Sequence, residues 1–239
     1  MKTLKLFLLC FMCISYAYGQ QVEFAGQLNT GLTRFGGESA SKSTSMVSNI
    51  QDGALSSVSN AYGKKFALSY GASVQVQQVT RSNFLFGTQA GVEVLRSRTD
   101  IREVYIFRSI YSGSFEQQEA SGKAILQNDF VNLHPYLGYR VNAGAVNLDF
   151  SFGPEVGIGL KSREKGKATA QDGSKHTYSQ LRSEPETDVR ARLGITAYYY
   201  HIGLSASYAH GLTNYMRGYD GGNPAVYARV WRFGVLYRL

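Results

Sequence analysis

From Val22 to Leu239 apolar and polar residues alternate with a period of two, in runs broken by turn residues, and no stretch carries a long helical period. Successive side chains of a strand point to opposite faces, so a chain patterned this way has to fold as sheet. Seven runs carry the pattern: "VEFAGQLNTGLTRF", "FALSYGASVQVQQ", "FLFGTQAGVEVLR", "FVNLHPYLGYRV", "VNLDFSFGPEVGIGL", "DVRARLGITAYY" and "IGLSASYAH". An eighth, "VYARVWRFGVLYRL", sets Tyr227, Trp231, Phe233, Val235, Tyr237 and Leu239 on one face and Arg232, Gly234 and Arg238 on the other.

The connections alternate in length. Long ones follow the odd strands, at about residues 35–64, 99–127, 161–187 and 211–225, and short ones around "VTRSN", "NAGA" and "YYH" follow the even strands. This predicts an all-β fold: an eight-stranded antiparallel transmembrane β-barrel with long outer loops and short periplasmic turns.

Alternation alone leaves open which face is wet, because a soluble barrel turns its apolar face inward and a membrane barrel outward. The aromatics decide. On the apolar face, Phe24, Phe84, Phe86, Tyr139, Tyr199 and Tyr237 fall at the short-turn end of their strands, and Phe66, Tyr70, Tyr208 and Tyr227 toward the long-loop end. Two aromatic rings bounding an apolar band are interfacial girdles, which a ligand cavity has no use for. The opposite face then places Glu93, Asp149, Glu155, Arg190, Arg192 and Arg232 in one narrow lumen, where they are expected to pair across the barrel and plug it.

The opening "MKTLKLFLLCFMCISYAYGQ" has Lys2 and Lys5, an apolar core from Leu6 to Ile14 and the small-x-small site Ala17-Tyr18-Gly19. It reads as a signal peptide, residues 1–19, cleaved ahead of a barrel over 20–239. Both cysteines, Cys10 and Cys13, lie inside it. Leu9 and Met12 precede them where a lipid-anchor site would carry a small residue. Loss of the leader removes two lysines and no acid, so the formal charge falls from +8 to about +6.

Three stretches carry a family resemblance: "FVNLHPYLGYRV", "LDFSFGPEVGIGL" with its Gly-Pro pair, and "YAHGLTNY". The chain resembles the OmpX/OmpA-like outer-membrane β-barrel proteins of the Bacteroidetes type, labelled porin family or PorT family. The resemblance covers nearly all of the chain beyond the leader. It implies an outer-membrane location in a Gram-negative bacterium, and it implies that Arg232, Gly234, Tyr237 and Leu239 form the C-terminal signal read by the barrel-assembly machinery. Leu239 departs from the phenylalanine with which the family more often ends. Pro135 and Pro154, awkward inside strands, are expected at bulges or close approaches.

No metal-ligand spacing, phosphate loop or nucleophile elbow is present, so no catalytic, cofactor or metal site is expected. His134 is expected in the lumen network. His210 shares no face with Ser205 or Ser207, which argues against a hydrolase and for a protein that is not an enzyme. Basic residues gather at the outer strand ends, including Arg34, Lys64, Lys65, Arg96 and Arg98, and above all Lys161, Arg163, Lys165 and Lys167. They are candidate contacts to the phosphates of outer-membrane lipid and lipopolysaccharide. The loop "GGESASKSTSMVSN" reads as mobile. "REVYIFRSIYSGSFEQQ" reads as an extension of strands three and four, whose open edges offer a surface for a protein or polysaccharide ligand. Nucleic acid is not an expected partner. These features favour a surface-interaction or envelope-structural role. The alternatives are a narrow passive porin-like channel and a PorT-like accessory role in protein secretion.

Overall fold

The structure, a computed structural model, describes residues 21–49, 56–107, 115–182, 187–217 and 224–239. The expected signal peptide lies outside the described residues. The strands are β1 (Gln21–Gly36), β2 (Ser43–Asn49), β3 (Ser57–Val58), β4 (Lys65–Val79), β5 (Phe84–Phe107), β6 (Phe115–Ala143), β7 (Val146–Ala170), β8 (Lys175–Arg182), β9 (Thr187–Tyr199), β10 (Ile202–Gly211) and β11 (Tyr227–Arg238).

Eight of them close a ring in the order β1, β4, β5, β6, β7, β9, β10, β11, every neighbouring pair antiparallel. The last strand returns to the first, from Ala25↔Arg238 through Leu28↔Val235 to Gly36↔Tyr227. Each of the eight predicted strands is present. At one end the ring turns tightly, at Thr80–Asn83, Gly144–Ala145 and Tyr200–His201, with Asn83, Gly144 and Tyr200 at positive φ. Two-residue hairpins need that left-handed backbone to match the strand twist. Thr80 tightens the first turn by accepting the Phe84 N–H on Oγ1 at 2.9 Å.

The outward face is apolar around the ring. Leu28 is 71 % exposed, Val74 67 % and Leu204 63 %, as no soluble barrel would leave them. Phe24, Phe84, Phe86, Tyr139, Tyr199 and Tyr237 are exposed near the tight turns, and Phe66, Tyr70 and Trp231 at the far end, so both aromatic girdles stand where the alternation puts them.

Beyond the outer girdle the wall continues on one side. β5 has 24 residues and β6 29, about 80 Å or more of strand where a membrane crossing takes about 10 residues. The extension of strands three and four is therefore present. Its edges, however, are covered. β4 stops at Lys65, opposite Arg98, and β2 takes over the β5 edge in parallel from Ser43↔Asp100 to Asn49↔Phe107. On the other side β9 begins opposite Ile158, and β8 takes over the β7 edge from Ser162↔Arg182 to Thr169↔Lys175.

The Ser-rich segment expected to be mobile is thus strand β2. Met46 makes the difference: it is fully buried beside Ile101, Val104, Ile106 and Tyr178, an apolar core under the outer sheet. One further expectation changes, and another is met in one of its two forms. Lys161–Lys167 lie on strand β7, not in a loop. Pro135 and Pro154 cause no register shift, since Leu133↔Val156 and Leu137↔Phe152 keep them opposite each other, and the approach there is close because Gly153 lies against the Pro135 carbonyl. The bulge sits farther out, where Leu160 is the extra residue between Gly159 and Lys161.

If the apolar band lies in lipid, Leu28→Arg at its middle costs about 2–4 kcal/mol, read by urea unfolding in lipid bilayers. A neutral substitution would mean that this face is not in lipid.

Candidate functional site

Inside the ring, the polar parity of the strands converges on three layers. Nearest the tight turns, Arg140 is held between Glu23, at 2.7 and 2.8 Å, and Asp149, at 2.6 and 2.7 Å. Arg238 reaches Glu23 at 3.0 Å, and Gln77 bridges both acids at 2.8 and 3.0 Å. Two acids face two guanidiniums, and the layer is neutral.

Amides and hydroxyls make up the middle layer. Gln89 donates to Ser73 at 2.9 Å, Gln27 to Ser205 at 3.0 Å, and the Tyr136 hydroxyl to Gln77 at 2.8 Å. His134 faces the lumen as expected, but its Nδ1 bonds the Pro154 carbonyl at 2.9 Å and its ring stacks on Tyr136. Two cavities of about 30 and 20 Å³ lie among these groups, each room for one or two water molecules.

Toward the outer end, three guanidiniums meet three carboxylates. Glu155 accepts from Arg190 at 2.8 Å, Arg232 at 2.8 Å and Arg192 at 3.0 Å. Glu93 pairs with Arg232 through two bonds and with Arg190 at 3.2 Å, and Asn132 donates to it at 2.7 Å. Arg190 also donates to Asp188 at 2.7 Å, and its guanidinium lies 5.0 Å from the Phe130 ring. Glu155 and Arg190 have no exposed surface at all. Such charges survive out of water only when they are paired and hydrogen-bonded on most sides.

The predicted network is therefore two networks. Glu93, Glu155, Arg190, Arg192 and Arg232 come together, whereas Asp149 belongs to the inner layer with Arg140 and Glu23. Glu23, Arg140, Arg238 and Asp188 were missed, though all four carry the inward parity. Tyr215 had no such signal: it follows β10 in an irregular segment, and its hydroxyl donates to Asp188 at 2.5 Å. Above this layer Phe35, Tyr62, Leu95, Leu126, Phe130, Tyr215, Val226 and Val230 form an apolar cluster across the mouth. The Phe35 ring meets Tyr62 and Tyr215 edge-on, at 5.2 and 4.9 Å.

Along β11, Arg232 is a member of the ion cluster, and Gly234 leaves room for the Gln27 and Ser205 side chains. Tyr237 faces out beside His201, and the exposed Leu239 donates its N–H to the Phe24 carbonyl at 2.9 Å. Ser205 and Ser207 line the inner cavity, while His210 bonds Tyr208 through Nδ1 at 3.1 Å.

On the outside, Lys161, Arg163, Lys165 and Lys167 occupy alternate positions of β7, a straight row of cations about 7 Å apart. Lys123 and Asp129 stand opposite its two ends. The belt continues around the barrel just above the outer girdle. Arg34 sits 4.7 Å from the Phe66 ring and Arg96 5.2 Å from Tyr70.

Residues 18–217 match the family described as outer membrane protein beta-barrel domain. Among solved structures, the translocator domain of the autotransporter NalP from Neisseria meningitidis is similar at 10% identity, over 99% of this chain and 94% of that one, with a TM-score of 0.22. OmpT of Vibrio cholerae is similar at 10% identity over 92% and 99%, with a TM-score of 0.16. At those scores neither carries an argument about activity. No curated protein matches.

Glu155→Ala removes the carboxylate that three guanidiniums share, leaves buried Arg192 without an acid partner among the described residues and is expected to cost about 3–5 kcal/mol. Unfolding followed by the fluorescence of Trp231, the one tryptophan, measures it. A loss below about 1 kcal/mol, within reach of an exposed pair, would mean that the cluster is hydrated.

Proposed function

The chain belongs to the outer membrane protein β-barrel domain family and resides in the outer membrane of a Gram-negative bacterium, and from that premise we propose that it is an occluded barrel whose work is done at the cell surface. The observation that carries this reading is the packing of the lumen. Two charge-neutral ion clusters, an amide layer between them and an apolar cluster over the mouth leave interior cavities of about 30 and 20 Å³. An eight-strand ring encloses an interior that side chains can just fill.

The outer sheet is the second support. An extension built from β2, β3, β8 and the long ends of β5, β6 and β7, with its own apolar core, is more than a barrel needs to anchor itself. Its role on this reading is surface interaction or envelope structure, with a surface protein or polysaccharide as ligand and no catalysis. The placement of Ser205 and Ser207 inside and His210 outside favours the non-enzymatic reading. Within the family, we place the chain in the OmpX/OmpA-like, PorT-related branch on its "FVNLHPYLGYRV", "LDFSFGPEVGIGL" and "YAHGLTNY" segments.

Lipopolysaccharide is the partner that the basic belt fits. Lys161, Arg163, Lys165 and Lys167 stand at headgroup height with few acids beside them, and each cation near an anionic surface contributes about 1 kcal/mol.

Two measurements test these readings. In planar bilayers the folded protein is expected to be electrically silent, and steady openings would replace the occluded barrel with a porin-like channel. Replacing Lys161, Arg163, Lys165 and Lys167 by glutamine is expected to lower lipopolysaccharide co-purification several-fold. Unchanged recovery would remove that partner.

A further inference from the structure

At the outer mouth, above the Phe35–Tyr62–Tyr215 cluster, lies a cavity of about 500 Å³. That size falls within the range of small-ligand sites. Its walls come from the connection after β3, the end of β8 and the segment after β10, elements far apart in sequence.

The floor is aromatic and fixed. The Tyr62 hydroxyl donates to the Tyr215 carbonyl at 3.3 Å, and the Tyr215 hydroxyl is tied to Asp188 of the ion cluster below. Met216 and Ala61 complete the apolar lining. The amide side chains at the rim are committed to holding the walls. Asn60 accepts from the Tyr62 N–H at 2.9 Å and donates to the Ser39 carbonyl at 2.7 Å. Asn214 accepts from the Met216 and Val226 N–H groups at 3.1 and 3.0 Å and donates to the Pro224 carbonyl at 2.7 Å.

Two cations remain. Arg182 is oriented from behind: Nη1 bonds the buried Glu164 at 2.6 Å, Glu164 is itself held by the Tyr178 hydroxyl at 2.6 Å, and the guanidinium lies 5.2 Å from the Tyr62 ring. Nη2 also reaches the Tyr62 hydroxyl at 3.5 Å, and a planar five-donor group with two such contacts still has further N–H donors to present. Arg217 is exposed, and its side chain has no hydrogen-bond or ion-pair partner among the described residues. Among the described residues no carboxylate lines the cavity.

A rigid aromatic floor, rim amides already occupied and two guanidiniums, one of them oriented from behind by Glu164 and the other without an ion-pair partner among the described residues, are a complementary surface for one class of molecule. We propose that the mouth cavity binds a small amphiphilic anion, with its carboxylate, phosphate or sulfate toward Arg182 and Arg217 and its aromatic or aliphatic body over Tyr62, Tyr215 and Met216. The proposal deepens the surface-interaction reading and rests on the mouth facing the exterior; it does not depend on whether the lumen conducts.

Methionine supplies the reporter. Of the four in the chain, Met1 and Met12 lie in the first 19 residues, Met46 is buried in the outer-sheet core and Met216 lines the cavity. Protein labelled with ¹³C-methyl methionine, purified from outer membranes and placed in zwitterionic nanodiscs, is titrated with phenyl phosphate. Inorganic phosphate and benzyl alcohol serve as the two halves, and Met46→Leu assigns the signals. The Met216 methyl is expected to shift saturably while Met46 stays still, with either half at least tenfold weaker. Arg217→Gln, at an exposed position that leaves the fold alone, is expected to weaken binding about tenfold, the loss of one charge-assisted hydrogen bond. No shift at about 10 mM phenyl phosphate, weaker than any useful site, would overturn the proposal. So would a shift that Arg217→Gln and Arg182→Gln leave unchanged, or an equal response to inorganic phosphate alone. Silence in the conductance assay alongside a failed titration would leave the occluded barrel standing without this site.

Discussion

Hydrocarbon offers a peptide group no hydrogen-bond partner, so a sheet that crosses a membrane has to close on itself. The pairing of β11 with β1 is that closure, and the rest of the molecule follows from it. Closing eight strands makes the interior narrow. A narrow interior forces every inward side chain to touch another. Because the outward parity is committed to lipid, the polar residues have nowhere else to go.

What they build inside is governed by charge balance. Arg140 and Arg238 face Glu23 and Asp149; Arg190, Arg192 and Arg232 face Glu93, Glu155 and Asp188. Each set sums to zero, and Glu23, Asp149, Glu93 and Glu155 are each reached from more than one strand. The clusters therefore tie separate walls of the barrel together, Glu93 on β5 to Arg232 on β11 and Glu155 on β7 to the same Arg232. The apolar mouth cluster rests directly on the outer set through Tyr215, so the floor of the mouth cavity is fixed by the same ion network.

Above the membrane the solvent reverses and the strand reverses with it. On β7 the outward residues run Val156, Ile158, Leu160 and then, after the bulge, Lys161, Arg163, Lys165 and Lys167. Over the same span the inward row passes from Glu155 to Ala168 and Ala170. The strand is lipid-facing below and water-facing above, and one extra residue marks the change. Beyond that point β5 and β7 would each expose an edge, and β2 and β8 cover them. A covered edge resists pairing with other chains, and the outer edges of this sheet are now the short strands β8 and β3 with β2.

Much of this is legible in the chain, because face is a local property: alternation told Glu93, Asp149 and Arg190 to point inward and Leu28 to point outward without any knowledge of the neighbours. Depth is different. Which inward residues share a layer depends on the stagger between strands, and that is why Asp149 stands with Arg140 and Glu23, away from Glu155, its neighbour six positions along. Met46 in its serine-rich segment and Tyr215 in its irregular one gave no periodic signal, since their burial depends on surfaces supplied from far along the chain. The sequence by itself determined the strands, their wet and dry faces and the closed ring, through period and composition. The tertiary structure decided the pairing of the charges, the covering of the edges and the cavity at the mouth, because each is a contact between segments whose spacing only the closed register sets.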